Sequence, residues 1–306
     1  MTKKESNILL LSITLCWAAS YLFIKNLPDD FSSYAYLTLT CGIAAALMAA
    51  IFWRQLKKLK KSVWIKGFLL SLILTMNLLT EKAGISRLAP ANASFLAALT
   101  IILVPVLLLF LHQKPTRNNV LGAFIIGAGL CVSTGFTVSG FYNTGSLYML
   151  AGCFFSAVYT IAVDRYAKQE EPVLICIVQM FFTALIGFIL WYIEDASTFW
   201  GITYTRELLS NIIILAFFAK AYAYIVLMFS QKYSDAISVT VIASTEPIVT
   251  LGLSVLLPAA YGGGENVTAS SIAGALIIAV GAIVAGLTFL ERKKQEGERR
   301  EKQNAS

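Results

Sequence analysis

Ten long apolar segments, separated by short polar turns, follow one another along almost the whole chain. Each is close to the ~20 residues that a helix needs to cross a ~30 Å hydrocarbon layer. In lipid such segments must be helical, because a helix pairs its own backbone hydrogen-bonding groups. The pattern predicts an all-α integral membrane protein with ten transmembrane helices, at 8–24, 33–53, 63–79, 91–111, 119–137, 146–163, 173–193, 208–229, 236–257 and 271–290.

Composition supports the membrane class and argues against a metal site. Apolar residues make up 58% of the chain and charged residues 13%, and the mean hydropathy is +0.73, far too apolar for one soluble core. The five cysteines all fall inside predicted segments without paired loop spacing, so we expect neither a disulfide framework nor a thiolate metal site, and no cofactor. They are Cys16, Cys41, Cys131, Cys153 and Cys176.

The net charge of +7 is unevenly placed. If both termini are cytoplasmic, 19 of the 24 Lys and Arg residues fall on the inner side, among them those of a basic tail at 291–306. This asymmetry is the positive-inside rule, and it predicts a multi-pass protein of the cytoplasmic membrane with both termini in the cytoplasm. The basic runs are topology signals beside anionic lipid, so we expect the lipid bilayer as a partner and no nucleic acid.

A weak internal repeat divides the chain into two halves. The fifth segment reads L-G-A-F-I-I-G-A-G-L at 121–130, and the tenth reads A-G-A-L-I-I-A-V-G-A at 273–282. Pro105 likewise corresponds to Pro247 in this comparison. We therefore predict two five-helix repeats, at 1–137 and 146–290.

An odd number of helices in each repeat has a geometric consequence. The second copy enters the membrane from the opposite side, so the two repeats are inverted. Inverted repeats with interrupted helices at corresponding positions are typical of secondary transporters, whose binding site lies near the midplane between the halves. The organisation predicts transport by alternating access.

Two charged residues lie where only hydrocarbon is expected. Lys220 precedes Lys232 by twelve residues and Glu246 follows Ser234 by twelve, so both charges lie about 18 Å from the turn that joins their helices. An unpaired ion near the midplane costs at least ~2.5–3.5 kcal/mol, and such residues usually face a partner or a watery cavity. We predict that Lys220 and Glu246 bind or couple substrate, with a locked salt bridge between the two helices as the structural alternative.

Other polar and aromatic side chains inside the segments complete the predicted site. Trp17 and Tyr21 share a helix face, which points either to the substrate path or, for Tyr21 in particular, to lipid. By contrast, Glu81 and Lys82 are expected to reach headgroup water as snorkelling residues. The further candidates for substrate binding are Asn77, Asn92, Tyr159, Gln179, Tyr222 and Tyr224.

Several short motifs, in order, resemble one known family. They are A-N-A-S-F-L at 91–96 with V-P at 104–105, L-G-A-F-I-I-G-A-G at 121–129, A-Y-A-Y-I-V at 221–226 and S-T-E-P at 244–247. The chain is identified by them as similar to the drug/metabolite transporter superfamily, EamA-type permeases, over nearly all of residues 8–290. The resemblance implies ten helices, cytoplasmic termini and, most often, export of amino acids or related small metabolites.

Two positions depart from the pattern of that family. An acidic residue that often follows the fourth segment in relatives is replaced here by His112 and Gln113. In the second half, Glu265 follows an enlarged loop at 262–264 and is a candidate for the counterpart position.

Three functions remain compatible with the sequence. No enzyme motif, nucleotide-binding loop or metal motif is present, so we expect a non-enzyme whose small-molecule substrate moves by a gradient, by exchange or downhill. The leading hypothesis is a secondary transporter that exports amino acids or related metabolites, because Lys220 and Glu246 match the two charges of a zwitterion. An organic-cation or drug transporter of the same fold and a non-transporting membrane interaction protein are the alternatives. Proton coupling through Glu246 is a further hypothesis.

Overall fold

The computed structural model is built from helices that follow the apolar segments. It describes residues 3–28, 30–112, 117–133, 143–258, 261–264 and 267–285, and among these residues there is no strand. Short helices also lie in two connections, at Trp53–Leu56 and Ala196–Gly201. The main helices are α1 Lys3–Lys25, α2 Ser33–Ile51, α3 Lys61–Ile85, α4 Pro90–Phe110, α5 Arg117–Ser133, α6 Thr144–Ala167, α7 Pro172–Glu194, α8 Arg206–Gln231, α9 Ala236–Leu256 and α10 Ala269–Ala285.

Eight of these helices are long and apolar enough to cross a membrane. The other two, α5 and α10, are shorter apolar helices, and the predicted segments around them continue to 137 and 290, beyond the described residues. The prediction of an all-helical, multi-pass membrane protein is confirmed by the eight candidate spans. The number of ten crossings stays a prediction.

Polar side chains mark where several helices begin. Asn143, Thr205 and Asp235 precede α6, α8 and α9, and each side-chain oxygen accepts a hydrogen bond from the backbone N–H three residues on, at 2.8, 3.1 and 2.8 Å. Such caps satisfy backbone donors that the first turn leaves unpaired. Asp235 therefore fixes the start of α9 after the polar turn that joins it to α8.

Two helices, α4 and α9, are broken in the same way. Each consists of a segment of eight residues, two residues in a different turn geometry, and a segment of eleven residues. In α4 the segments are Pro90–Ala97 and Thr100–Phe110, and in α9 they are Ala236–Ala243 and Glu246–Leu256. A break inside a membrane helix frees backbone groups, and it is tolerated where the protein or a cavity satisfies them.

The two broken helices also pack against each other in a reciprocal way. Segment Pro90–Ala97 contacts Glu246–Leu256, and segment Thr100–Phe110 contacts Ala236–Ala243. The first part of each helix therefore lies beside the second part of the other, so α4 and α9 run antiparallel. This is the relationship that two oppositely inserted repeats would produce.

The breaks change one detail of the predicted repeat. When the two broken helices are aligned segment by segment, Glu246 corresponds to Thr100 and Pro247 corresponds to Ile101. The sequence comparison had instead paired Pro247 with Pro105. In the structure Pro247 lies in the first turn of its segment, while Pro105 lies inside the corresponding segment. The earlier pairing was therefore off by four residues, about one helical turn.

Helix α8 contains a π-helical stretch at Leu215–Tyr222, between α-helical parts that end at Ile214 and begin at Ala223. π-helical turns are rare, and they are frequent at functional sites. The stretch includes Lys220, so the predicted charged residue lies in the least regular part of its helix.

Glycines allow α5 and α10 to pack closely. A Cβ atom on Gly122 would lie 2.6 Å from the carbonyl oxygen of Gly281, and one on Gly129 would lie 2.9 Å from that of Gly274. Small residues at such contacts let membrane helices approach until their backbones touch. The repeated glycine motifs, first noted as a sequence similarity, therefore form one contact between the two halves.

Candidate functional site

A cavity of about 110 Å³ lies among α1, α3, α4, α6, α8 and α9. Both broken helices contribute residues of their breaks to its wall, and the π-helical stretch contributes Lys220. Seven of the ten residues predicted for the site line this cavity: Trp17, Tyr21, Asn77, Tyr159, Lys220, Tyr224 and Glu246.

Lys220 presents a buried ammonium group to the cavity. Its exposed fraction is 4%, and its Nζ lies 5.3 Å from the ring centroid of Tyr36 and 5.7 Å from that of Tyr224. Aromatic faces attract a cation, with a contribution of about 2 kcal/mol or more when the pair is desolvated. The rings therefore hold the ammonium group without neutralising it.

Glu246 contributes a negative charge to the cavity, and it lies at the start of a helical segment. It is the first residue of the second segment of α9, its exposed fraction is 8%, and it lines the cavity. The break in α9 thus places this carboxyl group in the cavity wall.

Lys220 and Glu246, both within the described residues, are not ion-paired with each other. The electrostatic neighbours of Lys220 are Tyr36, Cys41 and Glu81, and those of Glu246 are Glu81 and Tyr21. The structural alternative from the sequence, a locked salt bridge between α8 and α9, is therefore not what these side chains form.

Glu81 is the site residue that the sequence reasoning missed. It is half-buried and lines the cavity, and its Oε1 accepts a hydrogen bond from the hydroxyl of Tyr21 at 3.4 Å. It interacts electrostatically with both Lys220 and Glu246. Because Glu81 is a neighbour of each, it connects the ammonium group to the second carboxylate.

The prediction that Glu81 and Lys82 reach headgroup water was wrong for both residues. The predicted segment ended at Leu79, whereas α3 continues to Ile85. The longer helix carries Glu81 into the cavity wall and buries Lys82, whose Nζ donates to the carbonyl oxygen of Phe31 at 2.8 Å.

Aromatic rings form one wall of the cavity. The ring of Tyr224 meets those of Trp17 and Tyr159 edge to face, with centroids 5.9 Å apart in each pair. Behind this wall, the hydroxyl of Tyr159 and the amide of Gln179 are hydrogen-bonded, at 3.1 and 2.9 Å. The rings offer an apolar surface that is held in place by packing and by a buried polar group.

Three predicted site residues lie outside the cavity wall. Gln179 is fully buried behind Tyr159, and Asn92 is exposed on α4. Tyr222 is partly exposed, and its hydroxyl is hydrogen-bonded to the hydroxyl of Ser12 at 2.8 Å. Asn77 does line the cavity, but its amide donates to the carbonyl oxygen of Gly152 at 3.1 Å, which gives it a role in joining α3 to α6.

Comparison with known proteins decides the family. The chain matches the EamA-like transporter family over residues 5–135 and again over 143–287. The chain belongs to the EamA-like transporter family. This membership identifies the chain as a membrane transporter, and it confirms the resemblance drawn from the motifs.

Comparison with individual proteins shows the fold of this EamA-like transporter and nothing about its substrate. No curated protein matches the chain. A solved structure described as "Crystal structure of protein" superposes with a TM-score of 0.70 at 18% identity, covering 93% of this chain and 97% of the other. The likeness shows that the two chains share a fold.

The EamA-like repeats place Thr100 and Glu246 at corresponding points. Both begin the second segment of a broken helix, and both line the cavity. The two halves therefore present a hydroxyl and a carboxylate at their equivalent helix ends.

Of the positions where this EamA-like chain departs from the family motif, only His112 is described. It is exposed at the end of α4 and adopts a positive φ of 61°. Gln113 and Glu265 lie outside the described residues. His112 does not line the cavity, so it takes no part in the site.

Proposed function

We propose that this EamA-like transporter is a secondary transporter that exports amino acids or related small metabolites across the cytoplasmic membrane by alternating access. The observation that carries the proposal is one small cavity whose wall contains a buried ammonium group, from Lys220, and two carboxyl groups, from Glu81 and Glu246. An amino acid carries the complementary pair of charges.

Each group of the cavity has a role in this proposal. The substrate ammonium binds at Glu81 and Glu246, and the substrate carboxylate binds at Lys220. Trp17 and Tyr224 contact the apolar part of the substrate, since aromatic rings accept both alkyl groups and cations. Charged groups attract a charged substrate more strongly in a partly enclosed cavity than in bulk water, because the effective dielectric constant is lower there.

The size of the cavity supports a small substrate. At about 110 Å³ it holds several water molecules, each of which needs at least about 10–15 Å³. Pockets for drug-sized ligands are larger, about 300–1,000 Å³. The volume therefore favours a small metabolite over a bulky drug.

The two broken helices are the structural feature that supports alternating access. Inverted repeats with helix breaks at equivalent positions are typical of carriers in which one half moves against the other around a central site. The reciprocal packing of α4 and α9 supports such an arrangement here. The same proposal includes ten membrane crossings, repeats at 1–137 and 146–290, and both termini in the cytoplasm, as the distribution of Lys and Arg predicts.

A second candidate function is the transport of small organic cations. Glu81 is the observation that favours it, because it gives the cavity two carboxylates against the single ammonium group of Lys220. With both carboxylates ionised, one additional positive charge would neutralise the cavity. An amine without a carboxylate would supply it.

Exchange in proteoliposomes tests the proposal. Vesicles loaded with unlabelled L-valine are diluted into labelled L-valine, and the same is done with isobutylamine, which is valine without its carboxylate. We expect labelled valine to accumulate transiently with the wild-type protein and to be lost in Lys220→Gln, while Lys58→Gln, a control on an exposed lysine, retains it. Exchange of isobutylamine alone, unaffected by Lys220→Gln, would favour the cation candidate. If neither of these compounds nor any other amino acid or small amine exchanges, the proposed function is wrong.

A further inference from the structure

Glu81, Tyr21 and Glu246 form a connected group within the cavity. The hydroxyl of Tyr21 donates to Glu81 at 3.4 Å, and Tyr21 interacts electrostatically with Glu246 as well. The two carboxylates are also electrostatic neighbours of each other. One phenol from α1 thus donates to an acid of α3 and is an electrostatic neighbour of an acid of α9.

The other polar groups around these acids carry little compensating charge. Lys220 is the one cation among the side chains that line the cavity, and these residues all lie within the described chain. The titratable groups that interact with Glu81 from the packed helices are Tyr21 of α1, Tyr36 of α2, Cys153 of α6, and Lys220 and Tyr224 of α8.

The charges of the cavity do not balance when both acids are ionised. Two carboxylates and one ammonium group leave a net charge of −1 inside a membrane protein. Uncompensated charge is costly there, because the surroundings solvate an ion less well than water does. Two interacting carboxylates in such a place titrate as a pair, and a single bound proton makes the cavity neutral.

We propose that Glu81, Tyr21 and Glu246 form a site for a single positive charge, which is taken in turn by a proton and by the ammonium group of the substrate. The proposal rests on the proposed function and adds its coupling ion. When the substrate ammonium enters, the proton leaves to the aqueous side to which the cavity is open. Proton and substrate therefore exclude each other, which is the condition for exchange of one against the other.

The two candidate substrates differ in the net charge that the cavity has once they are bound. An amine replaces the proton without changing the net charge of the cavity. An amino acid also replaces the proton but adds its carboxylate beside Lys220. Charge neutrality therefore favours the amine, while the contact with Lys220 favours the amino acid, and both release one proton.

Infrared difference spectroscopy tests the shared proton without any substrate. The purified full chain is titrated in detergent, and the C=O stretching band of a protonated carboxyl group is followed. We expect one such band at a pH near 7, where free carboxyl groups are ionised. It should disappear in Glu81→Gln and in Glu246→Gln, because either single acid can then ionise beside Lys220. Glu194→Gln, on an exposed acid at the end of α7, is the control and should keep the band.

Two infrared results would overturn the inference. The first is that no protonated carboxyl band is found in the wild type near neutral pH. The second is that the band survives in Glu81→Gln and is lost only in Glu246→Gln, which would assign the proton to Glu246 alone. Tyr21→Phe keeps the ring and removes the hydroxyl, and we expect it to shift the band, because the phenol donates to Glu81.

Proton release on binding tests the exclusion. Isobutylamine hydrochloride or L-valine is added to the protein in a weakly buffered solution, and released protons are measured with an indicator dye. We expect release from the wild type for each compound that binds, and loss of release in Glu81→Gln. Binding without release would overturn the inference while leaving the transport function intact. If neither compound binds or exchanges, the proposed function is at fault, and the infrared result still decides the proton site.

Discussion

Glu246 begins the second segment of α9 at the point where Thr100 begins the second segment of α4. Both side chains line the same cavity, so the two halves differ in charge at a place where their backbones are alike. At this pair of equivalent positions the difference between the halves is one of charge, and it can be tested by matched substitutions.

Glu246→Gln keeps the shape of this side chain and removes its charge. We expect the ligand that binds, L-valine or isobutylamine, to bind at least about tenfold more weakly, because a hydrogen bond to a charged group contributes roughly 1.5–3 kcal/mol. Thr100→Val, at the equivalent point of the other half, removes a hydroxyl without changing charge, and we expect a smaller effect. Thermal shift at several ligand concentrations gives both affinities. Equal losses in the two variants would contradict a special role for the charge.

Gly129 lies where α5 meets α10, and its replacement by alanine should destabilise the protein. The new Cβ would lie 2.9 Å from the carbonyl oxygen of Gly274 and from Ile278, so the two helices must move apart. Overpacking of this kind costs about 1–3 kcal/mol.

Gly127, on the same helix, provides the control for that prediction. A Cβ there would meet only Ile102, at 3.7 Å, an ordinary contact, and alanine has the higher helix propensity. Gly127→Ala should therefore leave the unfolding temperature unchanged or raise it, while Gly129→Ala lowers it. If both variants unfold at the wild-type temperature, the close approach of α5 and α10 is not as the structure has it.

Tyr159 and Gln179 should depend on each other for stability. The hydroxyl and the amide are hydrogen-bonded, and Gln179 is fully buried. Tyr159→Phe leaves the amide without that partner, which costs about 1–3 kcal/mol. The double variant Tyr159→Phe/Gln179→Met should lose less than the sum of the single variants, because both polar groups are removed together. Thermal unfolding of the wild type, the two single variants and the double variant measures their stabilities. Strict additivity of the losses would contradict the prediction.

Some of the site could be predicted because charge is rare in membrane segments. Lys220 and Glu246 stand out against apolar neighbours, and the cost of burying an ion makes a cavity or a partner necessary. Both do line the cavity. Glu81 was missed because it lies beside Lys82 near the end of a segment, where the boundary of α3 decides whether a charge is inside or outside.

The direction of polar side chains was harder to predict than their depth. Tyr222 and Tyr224 are two residues apart on α8, and only Tyr224 reaches the cavity. A helix that faces lipid on one side and protein on the other is apolar all round, so its sequence gives little sign of which face is buried. The π-helical stretch at 215–222 further changes which side of α8 each following side chain occupies. No residue in the stretch signals this change.

The ion pair of Lys66 and Glu170 predicts how stability responds to acid. The pKa of Glu170 is lowered, chiefly by the hydrogen bond from Lys66, with Ser62 and Lys60 as further neighbours. A carboxyl group whose pKa is lower in the folded state stabilises the protein above the unfolded pKa, about 4.3, and that contribution is lost as the pH falls through the folded pKa. Glu170→Gln should therefore be less stable than the wild type at neutral pH, with a difference that shrinks below about pH 4.

Thermal unfolding of both proteins across this pH range measures the difference. Glu194→Gln removes the same charge from an exposed position at the end of α7 and serves as the control for net charge. Because Lys66 lies in α3 and Glu170 precedes α7, the pair joins the two repeats at one end of the protein. A difference that grows as the pH falls would have the opposite sign and would rule out the ion pair as its source.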